Sequence, residues 1–169
     1  KALLLQVIEA QAQLIARWQL LGFIHGVMNT DNMLICGETV DYGPCAFMDS
    51  FDPGQVYSSI DHQGRYAYGN QPGIAHWNLS RLAQTLIPLL DSETDRAVSI
   101  AQAAIDTFPE RFLEAHSQGM AVKLGLDELR DEDTAMVESL LDIMASENMD
   151  FTLTFRRLTE LTGQTPPGD

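Results

Sequence analysis

Apolar residues recur at helical spacing from the start of the chain. Leu3, Leu4, Val7, Ile8, Leu14, Ile15 and Trp18 fall on one stripe, the signature of a helix with a buried side. Gly22 follows, the residue type that commonly ends a helix. A long, largely buried helix is therefore predicted over 3–21, and it delivers the chain directly into Phe23-Ile24-His25-Gly26. The pattern then shortens. Met33-Leu34-Ile35-Cys36 and Thr39-Val40-Asp41-Tyr42 are two β-prone runs about Gly37 and predict one small hairpin. Across 43–76 periodicity is lost among Gly, Pro, Asp, Ser, Asn and Tyr. An irregular stretch this long is uncommon in a compact domain and is often functional.

Helical periodicity returns at Trp77, with Leu79, Leu82, Ala83, Leu86 and Ile87 on one face and Pro88 disturbing the last turn. Ser92 is placed to cap a further helix, with Glu93 and Asp95 suited to its N-terminal turn. Pro109 fits the first position of another, closing near Gly125. Asp131 or Asp133 starts the next, with Met136, Val137, Leu140, Leu141 and Met144 facing inward. Asp150 starts the last, with Phe151, Phe155, Leu158 and Leu161 inward and Gly163 at its end. The expected architecture is a single, mainly α domain over 1–169, with one short β-hairpin and helices over 77–162.

Composition narrows the partners. At 169 residues and 45% hydrophobic, the chain can bury a core. Ten Lys and Arg stand against 24 Asp and Glu, a net charge of −14, and no basic run could track a phosphate backbone, so no nucleic acid is expected. No apolar run is long enough to span a membrane, so no membrane contact is expected. Lys1 already lies inside an apolar periodic segment and the chain closes on Thr165-Pro166-Pro167-Gly168-Asp169, as a piece of a longer protein would. Cys36 and Cys45 lack the spacing of a closed zinc site and read as reduced, mostly structural thiols.

The chemistry concentrates in residues 25–43. Asn32 and Asp41 carry metal-binding oxygens on either side of the expected hairpin, and Asp31 is adjacent. Hard cations such as Mg²⁺ take few protein oxygens and complete their shell with phosphate and water, so such a pair suits a nucleotide-bound metal. Protein kinases arrange similar groups as H-R-D-L-x-x-x-N followed by D-F-G. His25 and Asn32 fall in register with that His and Asn, and Asp41-Tyr42-Gly43 stands for D-F-G. Val27 occupies the place of the catalytic Asp and cannot accept a proton. Asp31 is the only nearby carboxylate that could replace it.

Residues 25–32 (HGVMNTDN), 41–52 (DYGPCAFMDSFD) and 61–82 (DHQGRYAYGNQPGIAHWNLSRL) resemble the selenoprotein O family, kinase-like proteins that transfer AMP from ATP to protein hydroxyls. The resemblance runs from about Phe23 through Leu86, with a weaker patch over 150–157. It implies the helical C-terminal lobe of a protein-kinase-like fold. It further implies Asp31 as proton acceptor, Asn32 and Asp41 as ligands of Mg²⁺, or of Mn²⁺ in its place, and Asp41 also at the phosphates of ATP. The acceptors would be Ser, Thr or Tyr hydroxyls of protein substrates. UMP transfer, protein phosphorylation and a non-catalytic binding module on the same scaffold are the competing readings. Val27 favours the last; the Asn32 and Asp41 pair opposes it. Family members are cytoplasmic in bacteria and mitochondrial in eukaryotes. No Gly-rich phosphate loop or strand lysine precedes residue 25, so the phosphate-steadying groups are expected on an N-terminal lobe upstream of Lys1, and this piece alone is expected to be inactive.

Plainer roles stand beside these. An Asp-Asn pair is also common turn chemistry. His25 reads as a packed organiser of its loop, His62 and His76 as exposed or capping residues, and Trp18 and Trp77 as core anchors. Arg65-Tyr66 is either a surface pair or a contact for an acceptor protein or phosphate. The acidic helices between Glu93 and Glu147 read as solvated faces.

Overall fold

Helix α1 (Ala2–Leu21) is the axis of the computed structural model, which describes residues 1–161. Leu4, Val7, Ile8, Ala12, Ile15 and Trp18 are buried along its stripe, while Leu3 is exposed. The helix ends at Gly22, whose backbone is left-handed at φ 69°. A side chain there would be strained by that conformation and would also meet the Phe151 ring, 2.8 Å from an ideal Cβ.

Strand β1 (Phe23–Ile24) pairs antiparallel with β2 (Ala46–Phe47), Phe23 opposite Phe47 and Ile24 opposite Ala46. The architecture is thus mainly α with one short antiparallel pair. The pair closes the base of the 25–45 segment. Within 33–42, where the hairpin was expected, Met33 and Thr39 form a bridge flanked by backbone bonds from Leu34 N to Glu38 O at 3.0 Å and from Val40 N to Asn32 O at 3.1 Å, about a turn at Gly37. Thr39 turns its hydroxyl inward to His25 at 2.7 Å, and Asp41 leaves strand geometry at φ 63°, which ends the second arm.

Helix α2 (Gln71–Leu90) follows a 3₁₀ turn at Tyr68–Asn70. It begins six residues before the periodic run at Trp77, with Pro72 in the first turn, where a missing N–H is harmless. The irregular stretch is correspondingly shorter than 43–76. Ala75, Asn78, Leu79 and Ala83 form the buried face. Trp77 lies off that stripe and is 41% exposed, so of the two tryptophans only Trp18 is a core anchor. His76 sits within the helix, half-buried and stacked on Phe108 at 5.7 Å between ring centroids, in neither of the roles expected for it.

Four helices complete the described chain: α3 (Thr94–Ile105), α4 (Phe108–Leu124), α5 (Asp131–Ser146) and α6 (Phe151–Leu161). The start of α3 differs from expectation. Glu93 is its N-cap and no side chain caps the first turn, while Asp91 Oδ1 accepts the Glu93 N–H at 3.0 Å just before it. At α5 the Asp133 carboxylate accepts the Arg130 N–H at 2.9 Å, with Asp131 and Glu132 adding negative charge where the helix dipole favours it. Asp150 caps α6 as the sequence predicts, accepting the Leu153 N–H at 2.7 Å. Val137 and Met144 of α5 are buried, but Met136 is 51% exposed; on α6, Leu161 is exposed where an inward position was expected. Gly163 lies outside the described residues.

Helix α1 packs chiefly on α4, and α2 pairs with α3 while also reaching α1. One apolar cluster joins α1, α2 and α3; a second gathers Ile24, Met48, Phe51, Tyr68 and Phe151. Gln19 fastens the 3₁₀ turn to α1: its amide donates to Tyr68 O at 2.9 Å and its carbonyl accepts the Tyr68 hydroxyl at 2.5 Å. Among the described residues, no helix is long and apolar enough to cross a membrane.

Candidate functional site

The loop from residue 25 to 41 folds around a buried imidazole. The Val27 N–H donates to His25 Nδ1 at 3.2 Å, which leaves the ring proton on Nε2. That nitrogen lies 3.0 Å from Val40 O and 2.7 Å from Thr39 Oγ1. The Thr39 hydroxyl in turn donates to Asn32 O at 2.8 Å. Burial pushes the His25 pKa down, in keeping with a neutral ring whose two nitrogens tie opposite ends of the loop together. His25 is an organiser of its loop, as its surroundings in the sequence suggested.

Helix α2 holds this loop from behind. Gln71, fully buried, donates from Nε2 to Phe23 O at 2.9 Å and accepts the His25 N–H on Oε1 at 3.0 Å. Asn78, two helical turns on and therefore on the same face, donates to Met28 O at 2.9 Å. Neither residue stood out in the sequence. The available signal was a pair of amides seven residues apart on a face otherwise made of Ala75 and Leu79. Gln71→Ala would orphan one donor and one acceptor in a dry interior. It is expected to destabilise by about 2–4 kcal/mol, measurable by urea unfolding, with Gln71→Glu at least as damaging at neutral pH because it sets a buried carboxylate against Phe23 O.

With the loop so fixed, Asn32 and Asp41 meet. The Asn32 amide nitrogen donates to Val27 O at 2.9 Å and lies 3.5 Å from Asp41 Oδ2. Asn32 is buried and Asp41 is exposed. The positive φ of Asp41 is uncommon for a residue with a side chain, though Asp and Asn tolerate it best. Asp31 occupies the exposed tip of the 29–32 turn, closed by Asn32 N to Asn29 O at 3.0 Å. Among the described residues, nothing hydrogen bonds to its carboxylate. Val27 is half-buried, an aliphatic wall where a kinase would carry its base.

A carboxamide and a carboxylate are donor types that a nucleotide-bound cation takes. The Asn32 and Asp41 side chains are neighbours, with the amide nitrogen 3.5 Å from the carboxylate, while among the described residues no group of three or more His, Cys, Asp or Glu side chains is placed to hold a metal. A Mg²⁺ ion normally keeps water and substrate phosphate in its remaining positions. Cys36 is exposed and Cys45 half-buried, both as free thiols; only Cys45 packs against the core.

The long loop closes on the same segment. Tyr66 OH donates to Asn29 Oδ1 at 2.6 Å, and Asp61 accepts the N–H groups of Arg65 and Tyr66 at 2.9 and 2.8 Å. His62 is exposed.

Comparison with known proteins gives this loop its context. The family model described as "Protein adenylyltransferase SelO" matches residues 1–166. The chain belongs to the SelO family. A Bradyrhizobium diazoefficiens relative named "Protein nucleotidyltransferase YdiU" is 56% identical over 168 residues, 99% of this chain and 34% of the relative. Relatives of the same name from Rhodopseudomonas palustris and Rhizobium etli are 59% and 57% identical, over 94% and 96% of this chain and 32% of each relative. The chain thus spans about a third of the length of the curated SelO relatives it matches, and the 25–43 loop lies wholly inside the matched region.

Proposed function

We propose that the full-length protein transfers AMP from ATP to Ser, Thr or Tyr hydroxyls of protein substrates, and that this chain carries the acid–base and metal-binding half of the site. The observation that carries this reading is that the fold brings the Asn32 carboxamide beside the Asp41 carboxylate, the Asn32 nitrogen lying 3.5 Å from Asp41 Oδ2 and 2.9 Å from Val27 O. Both contacts engage the nitrogen, and the carboxamide oxygen is the atom that would serve a cation. Membership of the SelO family and the nucleotidyltransferase name of the relatives support it.

In the proposed step the acceptor oxygen forms a bond to the α-phosphorus, the α–β bridging bond breaks, and pyrophosphate leaves. Asp31, exposed at its turn, takes the hydroxyl proton in place of the aspartate that Val27 replaces. Asp41 and Asn32 hold Mg²⁺, or Mn²⁺ in its place, and Asp41 also faces the phosphates. The cation supplies neutralisation of charge developing on the phosphate oxygens. His25, neutral and buried, holds the geometry and exchanges no proton. The remaining two thirds of the protein supply the lobe that steadies the phosphates, without which this chain is inactive. A cytoplasmic setting in a bacterium, or a mitochondrial one in a eukaryote, follows from the same family reading.

The test uses the full-length protein with ATP labelled at either phosphate. Label from the α-position is expected on protein and label from the γ-position only in pyrophosphate. Protein labelled from γ-ATP alone would make the reaction phosphorylation; transfer from α-labelled UTP at far higher kcat/KM than from ATP would make it uridylylation.

A further inference from the structure

Beside the proposed metal pair, a cleft of about 390 Å³ opens between the 25–32 segment and the long loop. Val27 and Asn29 form one wall; Asp61, His62, Arg65 and Tyr66 form the other. The bond from Tyr66 OH to Asn29 Oδ1 ties the walls together two residues before Asp31.

Arg65, on the wall of this cleft, leads out to a second arginine beyond its edge, a cationic pair in a chain of net charge −14. The Arg65 guanidinium lies over the exposed Trp77 ring at 4.8 Å from its centroid, and Arg81 lies over the same ring at 5.0 Å. Rings so placed hold a guanidinium without neutralising it. The ion pairs among the described residues engage Arg96, Arg111, Arg130 and Arg156; neither Arg65 nor Arg81 has a carboxylate partner there. An exposed tryptophan flanked by two unpaired arginines is the composition of a contact surface.

Resting on the transferase reading above, we propose that this surface seats an acidic stretch of the acceptor protein. Carboxylates of that stretch pair with Arg65 and Arg81 across Trp77, and the chain runs through the cleft to bring its hydroxyl to the 29–32 turn. Carboxylates fit better than a phosphate. The N–H groups of Arg65 and Tyr66 that could help cradle a dianion are both taken by Asp61, and two forks spread along one indole suit separate carboxylates on an extended segment.

Two measurements on the full-length protein decide the matter. In the first, a fluorescein-labelled peptide, Glu-Glu-Ser-Glu-Glu, is titrated by anisotropy, which requires no turnover. Binding that weakens with salt and falls about 10-fold in the Arg65→Gln, Arg81→Gln double variant is expected. Absence of binding, equal binding by the double variant, or equal binding of the Gln-substituted peptide overturns the proposal. Preference of at least about 10-fold for a peptide bearing phosphoserine in place of the glutamates would assign the surface to phosphate instead and overturn it as well. In the second, transfer from α-labelled ATP to dephosphorylated casein, an acidic acceptor, is compared with transfer to myelin basic protein. The double variant is expected to raise KM for casein with kcat and ATP affinity unchanged; an unchanged KM overturns the proposal. If the wild type binds the acidic peptide but labels neither protein from α-ATP, it is the transferase reading that fails.

Discussion

Asp41→Asn in the full-length protein is expected to lower transfer of α-label from ATP by about a thousand-fold or more, and Asp41→Ala to abolish it. The asparagine variant is the sharper of the two. Asp41 holds φ at 63°, a conformation that Asn tolerates as well as Asp while Ala resists it. The asparagine therefore removes one charge and leaves the backbone in place. Asp41 is also exposed, so the change leaves no buried group without a partner. Thermal unfolding should stay within a degree or two of wild type, roughly what a surface substitution produces. The expected loss falls on metal-dependent nucleotide binding and on kcat together, because in the proposed site the same carboxylate would serve both cation and phosphate. Calorimetry of ATP with and without Mg²⁺ reads the first, and label transfer reads the second. Wild-type activity in either variant would remove Asp41 from the site and with it the proposed function.

The alanine variant carries a further reading. A left-handed residue with a side chain stores on the order of 1 kcal/mol or more of strain, retained because Thr39 and Val40 are bonded to Asn32 O on one side and Tyr42 O accepts the Cys45 N–H on the other. Asp41→Gly should relieve that strain. It should be as inactive as the alanine variant but no less stable than wild type, which separates conformational cost from chemical loss.

The parts legible in the sequence were those governed by local rules. The stripe from Leu4 to Trp18 and its closing Gly22 became α1 because helical period and a left-handed cap act over a few residues. Asp150 capped α6 for the same reason. The motifs of 25–43 marked out one segment, and the fold brings Asn32 and Asp41 of that segment side by side, the Asn32 nitrogen 3.5 Å from Asp41 Oδ2. What escaped was set by distant partners. Gln71 and Asn78 look like loop and surface amides until the backbone of residues 23–28 is placed against them. Trp77 looked like core because tryptophan usually is; its position relative to Ala75, Asn78 and Leu79 puts it outside, where the two arginines find it. The hairpin over 33–42 forms only in its shortest version, with backbone bonds from Leu34 N to Glu38 O and Val40 N to Asn32 O about the Gly37 turn, and ends where Asp41 takes a positive φ. For Gln71 and Asn78 a polar side chain spends its hydrogen bonds about fifty residues away, which no local pattern encodes.

Phe151→Ala is expected to cause the largest loss of stability of any single truncation in the second cluster, about 3–5 kcal/mol. The ring is 1% exposed and packs on three others, with centroids at 5.7 Å from Phe51, 6.3 Å from Tyr68 and 5.4 Å from Phe155. It also covers the turn at Gly22, so its removal opens a void between the end of α1 and the start of α6. Lys123 sharpens the expectation. Its ammonium donates to Leu20 O at 2.5 Å and lies 4.5 Å and 4.2 Å from the Phe151 and Phe155 rings, and burial draws its pKa down to about 8. Losing one ring takes away part of what compensates that buried charge. Residues 49–51 would loosen with it, since Phe151 N–H donates to Asp49 O at 2.7 Å and Phe51 N–H to Met149 O at 2.8 Å. Thermal unfolding should show the midpoint falling by roughly 10 °C, and amide exchange should accelerate first at Phe51 and Phe151. Phe151→Leu should lose less than half as much, because most of the volume is kept. A midpoint unchanged in the alanine variant would mean that α6 is not fastened to the 22–24 turn through this ring.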